Sequence, residues 1–213
     1  MKNLTLYLLR HGETTYSKIG GYCGTLNPPL TEAGMEMACA FAEAYKSLEW
    51  QAVYVSPMDR TIATARPLCN ATGKTMILRD GLKEIAYGAW EGLTPEEVRT
   101  KYHDSYLQWL ADPGWNAPDG GERAIDIARR SGEVVAEIQS QFSQGNVLVV
   151  SHKATIRIML CSFLGIDVGR FRDRIGMPVA SVSVVEMAQR GPLVHRMGDR
   201  SHLPAVLRDR EGN

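Results

Sequence analysis

The chain has 213 residues, a length that suits one domain with a sizeable core and at most a short insertion. Its hydrophobic fraction of 44% and charged fraction of 23% exclude a disordered tail, a collagen-like fibre and a disulfide-built miniprotein. The 24 Lys and Arg residues balance the 24 Asp and Glu residues, whereas proteins that wrap nucleic acid are usually strongly basic. We therefore expect no nucleic-acid partner, and any anion site must be built from local cations.

The cysteines and the first residues bear on metal sites and on location. No two cysteines form a Cys-x-x-Cys pair, and no Cys/His cluster has zinc-ligand spacing, so we expect free thiols, a reducing compartment and no bound metal or cofactor. The first ten residues lack the long apolar region of a signal peptide. No stretch approaches the ~18 apolar residues of a membrane span, so the sequence predicts a cytoplasmic protein without a membrane partner. The four cysteines are Cys23, Cys39, Cys69 and Cys161.

Short apolar runs alternate with amphipathic stretches in the first part of the chain. Thr31 is a good N-cap for one helix, and Ser56 followed by Pro57 predicts the start of another. The Gly- and Pro-rich stretch 17–29 predicts a loop. The predicted strands are 4–9, 52–55 and 75–78, and the predicted helices are 31–47 and 56–70.

The second part continues the alternation after an interruption at about residues 81–121, which we call the cap segment. Thr94, Pro95 and Glu97 form a capping-box pattern that predicts a helix start inside this segment. The remaining predicted helices are 122–142 and 154–164, and the predicted strands are 147–150, 179–187 and 193–197, the last two as a hairpin. The order predicts a single domain over 1–213, a three-layer α/β/α sandwich with a mainly parallel sheet and a small inserted cap.

Several chemically competent side chains follow predicted strands. In open α/β sheets ligands bind beyond the carboxyl ends of the strands, so these residues are expected at one edge. Arginine forks match phosphate oxygens, a neutral imidazole can attack phosphorus, and a carboxyl group can protonate a leaving oxygen. Each residue taken alone is more often a solvated or structural side chain, and only their joint occurrence favours a phosphoryl site. They are Arg10, His11, Arg60, Glu84 and His152.

The local contexts of these residues resemble those of the histidine phosphatase superfamily, also called phosphoglycerate mutase-like. The order and spacing of the motifs fit over about residues 4–165, so the resemblance does not rest on one short match. The motifs are Leu8-Leu9-Arg10-His11-Gly12-Glu13-Thr14, Pro29-Leu30-Thr31-Glu32-Ala33-Gly34, the stretches 56–65 and 84–92, Gly120-Gly121-Glu122 and Val149-Val150-Ser151-His152.

The resemblance implies a role for each residue. His11 would be the nucleophile that becomes phosphorylated, while Arg10, Arg60 and His152 would hold the phosphoryl oxygens. Glu84 would be the general acid and then the base for water. A proton on Glu84 in the first half-reaction requires shielding under a lid or a neighbouring substrate phosphate.

The sequence departs from the family pattern around the expected substrate. Ser17 stands where members often have Asn, and its hydroxyl can still donate to phosphate over a shorter reach. Cys23 and Gly24 occupy a small-residue position near the substrate, either as contacts or as ordinary loop residues. Lys153 replaces a common Gly, and it either adds charge to the pocket rim or starts the next helix as a solvated side chain.

Three functions remain open from the sequence. The short cap segment and Thr25-Leu26-Asn27 in the first loop favour a phosphomonoesterase, closest to metal-independent, broad-specificity or phosphoserine phosphatase-type members, over a cofactor-dependent phosphoglycerate mutase. Retention of all five chemical residues disfavours a non-catalytic member that binds a phosphorylated ligand. The expected partner is a small phosphorylated metabolite such as phosphoserine, phosphoglycerate, a sugar phosphate or α-ribazole phosphate. The oligomeric state stays open, with a homodimer as one alternative.

Overall fold

Alternate strand residues point to opposite faces of a six-stranded sheet, and each face is covered by its own helices. On one face Leu8 and Val149 pack with Ile138 and Ile156 of two helices. On the other face neighbouring strand residues such as Val150 pack with a second helix pair. The computed structural model describes residues 3–210, and the predictions for residues 1–2 and 211–213 lie outside the described residues. The predicted three-layer α/β/α class is confirmed.

The sheet is parallel over four strands and ends in an antiparallel hairpin. The strands are β1 (Leu4–Arg10), β2 (Trp50–Val55), β3 (Met76–Leu78), β4 (Gly145–Ser151), β5 (Val182–Ala188) and β6 (Gly191–Asp199). Their spatial order is β3-β2-β4-β1-β5-β6, with β5 antiparallel to both of its neighbours. The predicted C-terminal hairpin is confirmed. Strand β1 therefore lies inside the sheet, and its carboxyl end meets that of β4.

The five predicted helices lie close to their predicted ranges, and the structure adds four helices that were not predicted, α1, α5, α8 and α9. They are α1 (Thr15–Ile19), α2 (Glu32–Tyr45), α3 (Asp59–Thr72), α4 (Pro95–Lys101), α5 (His103–Ala111), α6 (Ala124–Gln141), α7 (Lys153–Leu164), α8 (Phe171–Arg174) and α9 (Ala205–Arg208), with short 3-10 turns at Asp80–Leu82, Gly88–Trp90 and Val168–Arg170. The capping box at Thr94 is present as predicted, because Thr94 and Glu97 exchange backbone and side-chain hydrogen bonds. None of the helices within residues 3–210 has the length and apolarity needed to cross a bilayer.

Two local predictions were wrong. The loop predicted from residue 17 overlaps α1, which forms because Thr14 and Ser17 make a capping box and Gly20 ends the helix at a φ of 69°. Helix α3 does not start at Ser56, because its first residue is Asp59 and its N-cap is Met58. The Ser56 hydroxyl instead lies 2.8 Å from Nε2 of His152, so it contacts this imidazole and does not cap the helix.

Residues of the cap segment build a separate aromatic cluster over one end of the sheet. Trp90 and Trp109 pack against Val98, and Tyr22 of the first loop joins them. The rings of Trp90 and Trp109 meet edge to face with centroids 5.4 Å apart, an arrangement that aromatic pairs favour. The cluster fixes the cap segment beside the carboxyl ends of the strands.

Candidate active site

The two histidines of the sequence motifs meet at the carboxyl edge of the sheet. Arg10 and Ser151 are partners in the parallel β1–β4 ladder, so the residues that follow them, His11 and His152, emerge side by side. Their ring centroids are 5.2 Å apart. Both side chains are buried, with 6% and 0% of their surface exposed. The topology therefore places them together as the sequence predicted, although they are far apart along the chain.

The imidazole of His11 is held in one tautomer. Its Nδ1 lies 2.8 Å from the carbonyl oxygen of Gly12, and because a carbonyl only accepts, Nδ1 must carry the proton. Nε2 therefore keeps its lone pair. Burial lowers the pKa of His11 well below its usual range, and the guanidinium groups of Arg60 and Arg10 lower it further. The ring is therefore neutral near neutral pH, which is the form in which an imidazole acts as a nucleophile.

His152 has the opposite tautomer. The Nε–H of Arg60 donates to its Nδ1 at 3.2 Å, so the proton of His152 is on Nε2 and points to the Ser56 hydroxyl. Burial lowers the pKa of His152 well below its usual range, and Arg60 and His11 add to the shift. Both ring nitrogens thus have protein partners. Contact of His152 with a phosphoryl oxygen stays a prediction, and it requires one of these partners to be exchanged.

Arg60 joins the first turn of α3 to the loop after α1. Its Nη1 donates to the carbonyl of Leu26 at 2.7 Å, and its Nη2 donates to that of Gly24 at 3.1 Å. Only 1% of the residue is exposed, and burial lowers its pKa, opposed by Cys23 and Glu84. Three of its five N–H groups are thus used within the protein, which fixes the guanidinium, and one N–H on each terminal nitrogen remains for an oxyanion.

Arg10 ends β1 and faces the same space as His11. Its Nη1 donates to the carbonyl of Met177, while its buried Nε has no hydrogen-bond partner. Burial lowers its pKa to about 9, with Glu84 acting in the opposite direction. The group is still charged at neutral pH. A buried guanidinium with an unused donor is what an anion would satisfy.

The carboxylate of Glu84 closes the N-terminus of α7. The N–H groups of Ile85 and Thr155 donate to its Oε1 at 3.0 and 3.2 Å, and that of Ala154 donates to Oε2 at 3.1 Å. The N-cap residue of α7 is His152, which makes no side-chain cap, so Glu84 supplies it from a distant segment. Glu84 is only 8% exposed.

Arg10, His11, Arg60 and Glu84 line a cavity of about 300 Å³, whereas His152 lies behind them and is not among its lining residues. The charged lining consists of Arg10, Arg60, Glu84, Lys153, Arg157 and Arg172. The rest is Thr14, Tyr16, Ser17, Gly20, Gly21, Tyr22, Cys23, Tyr87, Pro95, Trp109, Ala154, Phe171 and His11 itself. Five cations against one carboxylate make the cavity strongly positive in a chain whose formal net charge is zero. Such a cavity attracts anions.

The loop at Cys23 and Gly24 is fixed by a carboxylate from the cap segment. The Glu91 side chain accepts from the N–H groups of Gly24, Thr25 and Leu26 at 2.9–3.4 Å. A Cβ on Gly24 would lie 2.0 Å from the carbonyl oxygen of Ile85, so only glycine fits. The role of this residue is therefore steric, and its carbonyl serves Arg60. Burial raises the pKa of the Cys23 thiol to about 11, which keeps it protonated at the cavity wall.

Ser17 and Lys153 both line the cavity, as expected of substrate-binding residues, but only one of the two side chains has a donor left for a substrate. Ser17 Oγ accepts from the N–H of Thr14 at 2.8 Å and donates its one proton to the Thr14 carbonyl at 2.9 Å. It has no proton left for a phosphate oxygen. Lys153 is the first residue of α7, and burial with Arg10 and Arg157 nearby lowers its pKa to about 7. It is thus more than a solvated helix residue.

Sequence reasoning missed three residues of this region. Glu91 lies inside the motif 84–92, but its contacts with the first loop are visible only in the fold. Arg157 follows Lys153 by four residues on α7, so helical spacing was the available signal. Arg172 comes from the less diagnostic C-terminal part, where no motif marks it. Within residues 3–210 no group of three or more His, Cys, Asp or Glu side chains is placed to hold a metal ion.

Comparison with known proteins agrees with this geometry. A family model described as "Histidine phosphatase superfamily (branch 1)" matches residues 6–200. Phosphoserine phosphatase 1 of Hydrogenobacter thermophilus is 32% identical over 198 residues, which cover 93% of each chain. The structure of Bacillus stearothermophilus YhfR has a TM-score of 0.87 at 29% identity, and the match covers 93% of this chain and 98% of that one. A mycobacterial glucosyl-3-phosphoglycerate phosphatase in complex with VO3 has a TM-score of 0.83 at 28% identity, with coverages of 92% and 99%. The chain therefore belongs to the histidine phosphatase superfamily, as its sequence motifs predicted.

Proposed function

We propose that this protein hydrolyses phosphomonoesters of small metabolites through a phosphohistidine on His11. The observation that carries the proposal is the free Nε2 of a neutral, buried His11 on a cavity that also holds Arg10, Arg60 and Glu84. The predicted enzyme class, a phosphatase of small phosphorylated metabolites, is confirmed by the family match and by relatives named as phosphatases. The covalent intermediate and the role of each residue are our proposal.

In the first half-reaction the Nε2 lone pair of His11 attacks phosphorus, and the bond between phosphorus and the ester oxygen breaks. The proton on Glu84 moves to that oxygen, so the alcohol leaves neutral. Arg10 and Arg60 stabilise the charge on the equatorial phosphoryl oxygens, because their positions are fixed before the substrate arrives. The hydrogen bond from Nδ1–H to Gly12 stabilises the positive charge that the ring acquires.

In the second half-reaction water attacks the phosphorus of phospho-His11, and the P–N bond breaks. The Glu84 carboxylate takes a proton from this water, and inorganic phosphate leaves. His11 returns to its neutral form with the proton still on Nδ1. Glu84 is then protonated again, which is the state that the next substrate requires. The hydrogen bonds from the first turn of α7 hold the carboxyl group in place in both steps.

The cavity supports a small substrate. Its volume of about 300 Å³ is at the lower end of the range for ligand pockets, about 300–1,000 Å³. Phosphoserine and phosphoglycerate-type esters are candidates, since relatives carry the names phosphoserine phosphatase and glucosyl-3-phosphoglycerate phosphatase. The solved complex of one relative with VO3 is consistent with an oxyanion in this pocket. We expect vanadate to inhibit competitively, because its five-coordinate adduct resembles the transferring group.

The charge chemistry of the proposal uses side chains alone, so activity should not need a metal. Activity of the purified protein is expected to survive EDTA. Loss on chelation, with recovery on addition of one divalent ion, would contradict the mechanism.

We also propose a cytoplasmic location, which the four free cysteines support. A homodimer, and the absence of a nucleic-acid partner suggested by the balanced charge, stay predictions for light scattering and for binding assays.

Rapid-quench labelling tests the intermediate. Wild-type protein mixed with a substrate carrying a radiolabelled phosphoryl group should form an acid-labile, base-stable adduct, and His11→Ala should form none. His103→Ala, at an exposed position on α5, is the matched control and should behave as wild type. Turnover without any label on His11 would refute the proposal.

Two further results would favour the alternative functions. Binding of phosphate without turnover on a full panel of phosphomonoesters would favour a binding protein. Transfer to 3-phosphoglycerate in the presence of 2,3-bisphosphoglycerate would favour a mutase.

A further inference from the structure

The cavity contains more positive charge than a phosphoryl group requires. Besides Arg10 and Arg60, which adjoin His11, its wall carries Lys153, Arg157 and Arg172. Glu84 is the one carboxylate in the lining within the described residues. A phosphate ester brings at most two negative charges, so at least two cations remain without a counter-charge when such an ester is bound.

These three extra cations are not held in ion pairs. Among residues 3–210 neither Lys153 nor Arg157 nor Arg172 has a carboxylate within 4.0 Å. Other arginines of the same fold are paired, for example Arg79 with Glu137 at 2.6 Å. The Nε of Arg157 is buried and has no hydrogen-bond partner. Half-buried cations that repel one another are unfavourable unless an anion joins them.

Their positions place them on the side of the leaving group. Lys153 and Arg157 are four residues apart on α7, so they project from one face about 6 Å apart along the helix axis. The same helix receives the Glu84 carboxylate at its first turn, and Glu84 is the proposed donor to the leaving oxygen. An alcohol that leaves toward Glu84 therefore moves along α7 and its two cations.

The third cation comes from α8, a short helix that packs against α7. The guanidinium of Arg172, on α8, stacks over the ring of Trp109 at 4.0 Å from its centroid. Trp109 is 3% exposed and belongs to the aromatic cluster of the cap segment. Stacking leaves the edge of the guanidinium, which carries its N–H donors, free to bind an anion.

We propose that Lys153, Arg157 and Arg172 form a subsite for a second anionic group of the substrate, a carboxylate on the leaving alcohol. The inference rests on the proposed function and narrows it to short phosphorylated hydroxy or amino acids. The cavity volume of about 300 Å³ favours a carboxylate only a few bonds from the ester oxygen.

A matched pair of substrates tests the subsite. 3-Phosphoglycerate carries a carboxylate at the position where glycerol 3-phosphate carries a hydroxymethyl group, and the two compounds are otherwise the same. We expect wild-type kcat/KM to be higher for 3-phosphoglycerate by about 10²-fold, because hydrogen bonds to charged groups are the strong ones. In Lys153→Met, Arg157→Met and Arg172→Met this ratio should fall at least about tenfold. Arg174→Met, at an exposed position of α8, is the control and should keep the wild-type ratio.

Three outcomes would overturn the inference. Equal kcat/KM for the two substrates in the wild type would show that the carboxylate is not recognised. Equal losses on both substrates in the variants would show a general effect on the site rather than a subsite. A second substrate pair, fructose 1,6-bisphosphate and fructose 6-phosphate, differs in a second phosphate group. If the kcat/KM ratio of this pair is larger than that of the first pair, the subsite binds a second phosphate and the carboxylate assignment is rejected.

Failure of the proposed function is distinguishable from failure of the subsite. If the wild type hydrolyses neither substrate, the phosphatase proposal fails. Calorimetric titration of the inert His11→Ala variant then still compares the two compounds as ligands. Tighter binding of 3-phosphoglycerate than of glycerol 3-phosphate, with the difference lost in Arg157→Met, would support the subsite. Equal binding would reject it.

Discussion

Replacement of Glu84 by Gln removes the group that would transfer a proton but keeps the size and shape of the side chain. The two carboxylate oxygens of Glu84 accept unequal numbers of backbone hydrogen bonds, because Ile85 and Thr155 donate to Oε1 while Ala154 alone donates to Oε2. The Thr155 hydroxyl lies 3.2 Å from Oε1, but its proton goes to the Lys83 carbonyl at 2.7 Å. A Gln side chain therefore fits best with its carbonyl oxygen at Oε1 and its NH₂ group facing Ala154.

The cost of this variant to the fold is limited. Only the Ala154 N–H loses its acceptor, and an unsatisfied buried donor costs about 1–3 kcal/mol of unfolding free energy. A domain of this kind has a free energy of unfolding of about 5–15 kcal/mol, so Glu84→Gln should remain folded at room temperature. Circular dichroism during urea unfolding measures this loss. Glu96→Gln, at an exposed position of α4, is the control and should leave stability unchanged.

The effect on the reaction should depend on the leaving group. An alkyl phosphate such as phosphoserine needs a proton on its leaving oxygen, so phosphorylation of His11 should slow by about 10²–10⁴-fold. p-Nitrophenolate leaves without a proton, so its first step should be nearly unchanged. Dephosphorylation still lacks the Glu84 base, and p-nitrophenyl phosphate should therefore show a burst of product followed by slow turnover.

Rapid-quench and stopped-flow kinetics on the two substrates give the test. A burst with p-nitrophenyl phosphate, together with a severe loss on phosphoserine, is the expected result. Equal loss for both leaving groups without a burst would refute the assignment of Glu84 as the acid. The carboxyl groups of Glu13 and Glu91 would then need the same experiment. Glu91 already accepts three N–H groups of the first loop, and Glu13 is bound to Thr31 and Arg210.

Three further predictions test other parts of the site. Arg60→Ala should lower kcat by about 10²–10³-fold with the fold retained, and unchanged steady-state kinetics would remove Arg60 from the site. Gly24→Ala should lower kcat/KM by about 10²-fold, because its Cβ would displace the loop that Arg60 contacts, whereas Gly132→Ala, whose Cβ meets no atom within 4 Å, should have wild-type kinetics. In the wild type, kcat/KM for 3-phosphoglycerate should fall as pH rises through about 7, because Lys153 then loses its proton and its charge. A pH profile of Lys153→Met that keeps this decline would assign it to another group.

The sheet and the five motif residues were predictable because they depend on short-range patterns. Apolar runs marked β1, β2 and β4, and the polar residues that follow them lie at the carboxyl edge in any parallel sheet. His11 and His152 therefore met as expected. The helix starts were less certain, since Ser56 has the chemistry of an N-cap but its hydroxyl is used by His152 in the folded chain. A choice between two uses of one hydroxyl is made by tertiary contacts.

Hydrogen-bond partners that are distant in sequence were not predictable. Helix α7 has His152 at its N-cap without a capping bond, and the carboxylate of Glu84 takes that place from 70 residues away. Ser17 illustrates the same limit, because its hydroxyl looked available for phosphate until α1 formed and used it. Arg157 and Arg172 reach the cavity from two helices whose relative placement no local pattern encodes.

The motif 84–92 supplies two carboxylates with different duties, and the difference follows from what each one contacts. Glu91 takes the N–H groups of the loop 24–26, while Arg60 takes two of its carbonyl groups, so opposite charges satisfy both sides of one short loop. Because one N–H of each terminal nitrogen is bound to Gly24 or Leu26, Arg60 cannot rotate freely in the cavity, and the second N–H of each nitrogen remains available. Glu84, in contrast, contacts the helix that carries Lys153 and lies at the cavity itself. One carboxylate therefore orients Arg60, which we propose binds the phosphoryl group, and the other lies where the proposed mechanism needs a proton donor.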